Sequence, residues 1–243
     1  MNQGNADNQT QWRTWRKACQ DMGLNLSDQQ ETQLQWLYEH LLEVNRHTNL
    51  TRITALDDFL HRHLLDSLTL APFLPAGAKV ADIGSGAGFP ALPLAIARPD
   101  IQVIAVESVG KKCAFIRACA EKLNLSGLTV LNQRSEDMGQ DPQFREQFDI
   151  VTARAVAALP SLLELCLPLV KVGGAFLSMK GLSYETELAA AENALKMLGG
   201  ELKEVKTFVH PSLSGSRLLI IHKVQSTPAK YPRGVGLPVK NPL

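Results

Sequence analysis

The chain has 243 residues, 45% of them hydrophobic and 20% charged, enough for one large domain that needs no disulfide or metal staple. Twenty-five Lys and Arg against 24 Asp and Glu leave a net charge of +1, which excludes a uniformly basic nucleic-acid coat while permitting a local basic surface. Four cysteines (Cys19, Cys113, Cys119 and Cys166) show no Cys-x2-Cys pair and no accompanying His cluster, so they read as reduced thiols in a cytoplasmic core.

The start, Met1-Asn2-Gln3-Gly4-Asn5, is polar and lacks the basic and apolar parts of a secretion signal. No apolar stretch is long enough to span a bilayer, and a cytoplasmic protein without membrane contact is expected. Up to about Phe73 the pattern is helical only. Trp12, Trp15, Cys19 and Met22 recur at helical spacing, and Ser27 with Gln30 has the form of a capping box. Leu34, Leu37, Tyr38, Leu41 and Leu42 then share one face, and Phe59–Leu70 predicts a further short helix closed by Pro72 and Pro75.

From Lys79 the pattern alternates. Short apolar runs at Lys79–Ile83, Ile101–Val106, Leu128–Leu131, Phe148–Ala153 and Ala175–Met179 predict strands. Helix-period segments at Phe89–Ala97, Lys111–Leu123, Leu159–Val170 and Tyr184–Leu198 separate them. Such alternation predicts an α/β fold with a mostly parallel sheet covered on both faces. Glu204–His210 and Arg217–Val224 follow without an intervening helix and predict an antiparallel pair at the sheet edge. Ser226–Leu243 carries four Pro and two Gly and predicts no regular element. The divisions are a helical extension over 1–75, the α/β domain over 76–225, and a basic tail over 226–243. After Glu204 the chain has no acidic residue but six cations (Lys206, Arg217, Lys223, Lys230, Arg233 and Lys240), a composition that attracts phosphate.

The sharpest motif is Asp82-Ile83-Gly84-Ser85-Gly86-Ala87-Gly88-Phe89-Pro90, placed between the first predicted strand and a helix that Pro90 suits as a first-turn residue. Glycines there allow a tight turn and close approach of a ligand to main-chain N–H groups. The dinucleotide fingerprint G-x-G-x-x-G requires Gly where Phe89 stands, which disfavours a nicotinamide. An acid followed by glycines at alternate positions resembles motif I of class I S-adenosylmethionine-dependent methyltransferases, Rossmann-like enzymes. That cofactor has a charged amine, a carboxylate and a sulfonium rather than a pyrophosphate, so Asp82 at the strand end suits it, beside Gly84, Gly86 and Gly88. Glu107 ends the second predicted strand, 23 positions after Gly84, where a carboxylate accepts hydrogen bonds from ribose hydroxyls. Ser135-Glu136, after the third strand, reads equally as an adenine neighbour or as a helix start. Thr152-Ala153-Arg154-Ala155, after the fourth, matches neither the Asn/Asp-Pro-Pro-aromatic loop of amino methyltransferases nor a nucleophilic Cys loop. Cys166, between two leucines, reads as core.

Several segments together resemble the small-subunit rRNA methyltransferase G family. They are Asn45 with Asn49-Leu50-Thr51, Arg62 through Ser67, the loop ending Phe89-Pro90, Ser108 with Lys111-Lys112, Ser135-Glu136, Thr152 through Ala155, and Lys180-Gly181. The tail from Tyr231 to Leu243 is similar to that of members with a basic C-terminal extension. The resemblance implies methylation of N7 of a guanine in the 530 loop of 16S rRNA, with S-adenosyl-L-methionine as cofactor. The partner would be 16S rRNA, the small subunit or its assembly intermediate, met by a monomer. It implies cofactor contacts at Gly84, Phe89, Glu107, Ser108, Val109, Ser135, Glu136 and Arg154. No acid/base residue is expected; Arg154, Lys180 and His63 are the positioning candidates, and Lys180, Arg233 and Lys240 are expected on phosphates. Two other readings share the fold: a methyltransferase for another RNA or a small molecule, and a non-catalytic assembly factor with a retained pocket. The basic tail and Asn49-Leu50-Thr51 speak against the first; intact Asp82, the glycines and Glu107 speak against the second.

Overall fold

In a computed structural model, which describes residues 3–243, the N-terminal part is helical as its periodicity predicts. Met1 and Asn2, the head of the polar start, lie outside the described residues. Helix α1 spans Gln3–Asp21 and α2 spans Asp28–Thr48, the latter opened by the Ser27/Gln30 capping box. Gln30 also donates through its side chain to Ile96 O at 2.8 Å, so the cap ties α2 to the sheet domain. Next come α3 (Leu56–Asp58), a π-helical segment Phe59–Leu65, α4 (Asp66–Leu68) and a 3-10 turn Ala71–Phe73.

The alternating part follows as β1 (Lys79–Ile83), α5 (Ala91–Ala97), β2 (Gln102–Val106), α6 (Gly110–Lys122), β3 (Leu128–Leu131), α7 (Ser135–Gln140), β4 (Phe148–Arg154) and α8 (Leu159–Cys166). Then come β5 (Val170–Lys180), α9 (Tyr184–Ala190), α10 (Glu192–Leu198), β6 (Gly200–Thr207), β7 (Arg217–Lys223) and α11 (Leu237–Lys240). The sheet order is β3-β2-β1-β4-β5-β7-β6, parallel from β3 to β5. Strand β7 inserts antiparallel between β5 and β6, the edge pair the late runs predict.

Both sheet faces are covered. One packs against α1, α2 and the π segment in a core that joins Trp15, Leu37, Phe59, Leu94 and Ile220. The extension therefore shares a core with the sheet. The other face joins Phe148, Leu163, Cys166, Phe176, Leu198 and Tyr231. All four cysteines are buried free thiols, and burial pushes the Cys166 thiol well up, as core packing requires. Among the described residues no helix is long and apolar enough to cross a membrane.

Three expectations are corrected. Strand β5 starts at Val170 rather than Ala175, because Gly173 (φ 86°) and Gly174 carry it through a register shift against β4. A Cβ on Gly174 would stand 2.5 Å from Asp149 O, so the close strand approach demands glycine. The segment Tyr184–Leu198 is two helices meeting at buried Ala191. The tail ends in one helical turn, α11, and two of the six late cations face inward. Lys223 is 1% exposed, with Nζ on Thr227 Oγ1 at 2.6 Å and on Glu146 at 3.1 Å. Arg233 clasps the carboxylate of Glu164, whose side chain is 0% exposed, with contacts of 2.9 and 2.6 Å. Arg145 completes the anchorage by donating to Thr227 O and Tyr231 O, both at 2.7 Å.

Candidate functional site

The loop between β1 and α5 stands at the C-terminal edge of the parallel strands, where open α/β sheets bind ligands. Gly84 N and Ser85 N both donate to Val106 O, at 2.8 and 3.1 Å, which stitches the loop to the end of β2. Gly84 has φ 69°, and a Cβ there would lie 2.6 Å from Val156 Cγ2; only glycine fits both constraints. Gly86 N donates to Glu107 Oε2 at 2.9 Å, and Val109 N donates to Glu107 Oε1 at 2.9 Å. The Glu107 carboxylate is thus splinted between the loop and the start of α6. Gly84, Gly86, Phe89, Glu107, Ser108 and Arg154 share a cleft of about 360 Å³. Val109 contributes through its backbone as the residue before α6.

Arg154, the last residue of β4, organises the far wall. Its guanidinium donates to Arg62 O at 2.7 Å, to Asp66 Oδ2 at 3.1 Å and to His63 Nδ1 at 3.1 Å. A guanidinium only donates, so His63 Nδ1 is the acceptor and the neutral ring carries its proton on Nε2, which donates to Thr51 Oγ1 at 3.1 Å. Burial first, then Arg154 and Arg62, lower the His63 pKa to about 3. Asp66 accepts in addition from Ser216 Oγ at 3.1 Å. The Asn49-Leu50-Thr51 turn that presents Thr51 is held by Asn45, whose Oδ1 accepts from Leu50 N and Thr51 N at 2.7 and 3.0 Å. Asn49 itself is the left-handed C-cap of α2.

Not every expected residue reaches the cleft. Asp82 is 1% exposed beneath the loop; its Oδ2 accepts from Ala91 N at 3.2 Å, and Oδ1 has no partner among the described residues. Burial raises its pKa to about 7. Gly88 also lies behind the cleft, packed on Leu92 and Ile116, and Pro90 caps α5 rather than entering its first turn. Ser135 and Glu136 are buried at the start of α7. The Glu136 carboxylate accepts from Gly236 N at 2.8 Å, a tail contact that no local pattern announces. Lys180 Nζ donates to Glu187 Oε2 at 2.7 Å and Ala157 O at 2.9 Å, and its side chain is 8% exposed. Two of the three Lys180 donors are therefore taken by the protein, and the Arg233 guanidinium is engaged by a buried carboxylate.

The family model for rRNA small subunit methyltransferase G matches residues 30–218. The chain belongs to that family. A ribosomal RNA small subunit methyltransferase G of Lactobacillus delbrueckii subsp. bulgaricus is 46% identical over 223 residues, covering 90% of this chain and 93% of the relative. One from Roseiflexus sp. is 46% identical over 222 residues, covering 91% and 95%. Among solved structures, a SAM-dependent O-methyltransferase of Thermotoga maritima superposes with a TM-score of 0.53 at 17% identity, over 79% of this chain and 72% of that one. A point mutant of the 16S rRNA (adenine(1408)-N(1))-methyltransferase of Catenulisporales acidiphilia does so at 0.52 and 18%, over 63% and 88%. These likenesses establish the SAM-dependent methyltransferase fold.

For this family member the sequence reading leaves out one wall of the site. Ala155 has φ 55°, a left-handed conformation unusual for a residue with a Cβ, and with Val156 it forms a ridge. On the other side of that ridge opens a second cleft of about 580 Å³, bordered by Asp66, Arg154, Lys180, Glu187 and Ser216. Arg154, Ala155 and Val156 line both clefts. Nothing local in Ala155-Val156 announces this; only the position after the fourth strand could have.

Proposed function

We propose that this protein transfers a methyl group from S-adenosyl-L-methionine to N7 of a guanine in the 530 loop of 16S rRNA, in the small ribosomal subunit or its assembly intermediate. The observation that carries the reading is the pairing of a carboxylate-anchored glycine loop with a second cleft across one ridge, organised by an arginine and a histidine held neutral. Residues and cofactor fit. Glu107 at the end of β2 has the acceptor chemistry for ribose hydroxyls, and the loop at Gly86 leaves room where a Cβ would project. The side chain of Phe89 and the backbone around Ser108, Val109 and Ser135-Glu136 would complete the hold. When bound, the cofactor supplies an electrophilic methyl group on a sulfonium.

Guanine N7 carries a lone pair at neutral pH, so no proton need leave the attacking atom. His63 agrees with that requirement: both its nitrogens are engaged, and with a pKa of about 3 it would not gain a proton at neutrality. The task of the chain is in-line placement, which can itself contribute several kcal/mol. Arg154 is suited to it, since Arg62, His63 and Asp66 fix its guanidinium from three directions. Mass mapping of methylated guanine in 16S rRNA from cells with and without the gene tests the reading. The expected result is one N7-methylguanine lost with the gene; an unchanged pattern would refute it.

A further inference from the structure

The second cleft contains a charged pair whose arrangement goes beyond loop support. Glu187, on α9, places Oε2 on Lys180 Nζ at 2.7 Å and on Leu159 N at 2.8 Å. Its other oxygen, Oε1, has only a 3.5 Å contact with Ser183 Oγ, at the limit of a hydrogen bond. The Glu187 side chain is 23% exposed and borders the cleft. Lys180 has three donors, two of them on Ala157 O and Glu187 Oε2. The pair therefore offers one carboxylate oxygen with accepting capacity beside one ammonium donor. Asp66, the other carboxylate bordering the cleft, has both oxygens engaged, by Arg154 and by Ser216.

Guanine is the base with two adjacent N–H donors, N1–H and N2–H, on its pairing edge, and a carbonyl, O6, beside them. Enzymes that act on a base commonly take it out of the stack and read that edge by hydrogen bonds. We infer that Glu187 reads the N1–H and N2–H edge of the target guanine, with Lys180 on O6, in the cleft between α9 and the Ala155-Val156 ridge. The imidazole edge that carries N7 lies across the ring from N1 and N2. A guanine held this way turns N7 toward the ridge and the glycine-loop cleft behind it. Adenine and cytosine each present an acceptor where guanine has N1–H, so a carboxylate there repels them. The inference rests on the guanine-N7 reading and adds the means of choosing the base.

The test compares single-turnover methylation of reconstituted small subunits whose target position carries guanosine or inosine, which lacks the exocyclic amino group. The methylated atom is mapped by mass spectrometry. Wild-type protein is expected to slow by about tenfold to a hundredfold on inosine, the range for losing a good base contact. Glu187→Gln is expected to be slowed similarly on guanosine and to discriminate between the two bases less than about threefold, with S-adenosylhomocysteine affinity unchanged by calorimetry. Equal wild-type rates on the two bases, with N7 methylated, would overturn the base reading alone, and they require no variant to fold. A Glu187→Gln protein slowed but still discriminating as the wild type does would make Glu187 a strut for the 155–159 loop and overturn it too. A methyl group found on another atom would overturn the guanine-N7 reading along with it.

Discussion

The imidazole of His63 lies flat on the phenyl ring of Phe89, their centroids 4.2 Å apart and their planes 8° from parallel. The ring is held face-on by the glycine loop's last apolar residue and edge-on by Thr51 and Arg154. It joins the helical extension to the glycine-loop cleft without exposing a basic nitrogen.

The first expected outcome is kinetic. Single-turnover rates of the bound complex should show no ionisation belonging to His63, since its pKa is about 3. His63→Ala should lower the rate by loosening Arg154 while leaving the shape of the pH profile unchanged. An inflection near neutrality, if present, belongs to Asp82 and should vanish in Asp82→Asn. A neutral-pH ionisation abolished by His63→Ala would show that a base operates.

Folding stability should carry two opposed pH slopes. His63 falls from 6.5 to about 3 on folding, so the unfolded chain binds more protons between those values. Stability from this group is lost as pH drops from about 6.5 toward 3, at up to about 1.4 kcal/mol per pH unit. Asp82 rises from 3.8 to about 7 on folding, so the folded chain binds more protons and stability is lost as pH climbs through that window. The slopes offset each other between about pH 4 and 6.5. Urea midpoints across that window should rise with pH in Asp82→Asn and fall with pH in His63→Gln; identical profiles in all three proteins would contradict the burial argument.

Glu107 is expected to carry cofactor affinity. A ligand at a hundred times its dissociation constant adds about 2.7 kcal/mol of stability. Wild-type protein should show that thermal shift with S-adenosylhomocysteine and none with NAD. Glu107→Gln keeps the side chain's size but weakens its hold on Gly86 N, so most of the shift should disappear. A full shift in this variant would remove Glu107 from the site.

The tail yields a correction that can be measured. Glu164 is fully buried and its partner is Arg233, so Arg233→Ala leaves a buried charge unpaired, at a cost of about 3–5 kcal/mol. Because that guanidinium is engaged by Glu164, the slope of RNA affinity against salt should stay as in the wild type. Filter binding at several salt concentrations decides it: a flatter slope would return Arg233 to the RNA surface.

Much of this fold could be read in one dimension because its strands are short apolar runs and its helices are strictly periodic. The capping box at Ser27, the five parallel strands and the antiparallel edge pair all follow from local chemistry. The glycine loop and Glu107 were legible for the same reason: both sit at strand ends, where the sheet itself dictates what they face. The inward turn of Arg233 and Lys223 was not, since charge counted along a chain says nothing about carboxylates far away in sequence. The burial of Asp82 was not legible either, for a related reason. Its place at the strand end is as expected, but the loop folds over it, and solvent access is a property of three dimensions.

The bond from Gly236 N to Glu136 joins residues a hundred positions apart. In order of synthesis, β3 and α7 emerge long before the tail that fastens them, and Pro232 packs on Gly139 one turn further along α7. The Glu136 carboxylate therefore gains this partner only once the last residues of the chain are in place. The glycine loop and Glu107 are joined within one short stretch of chain, whereas the corner at Ser135-Glu136 is fastened by the chain's far end.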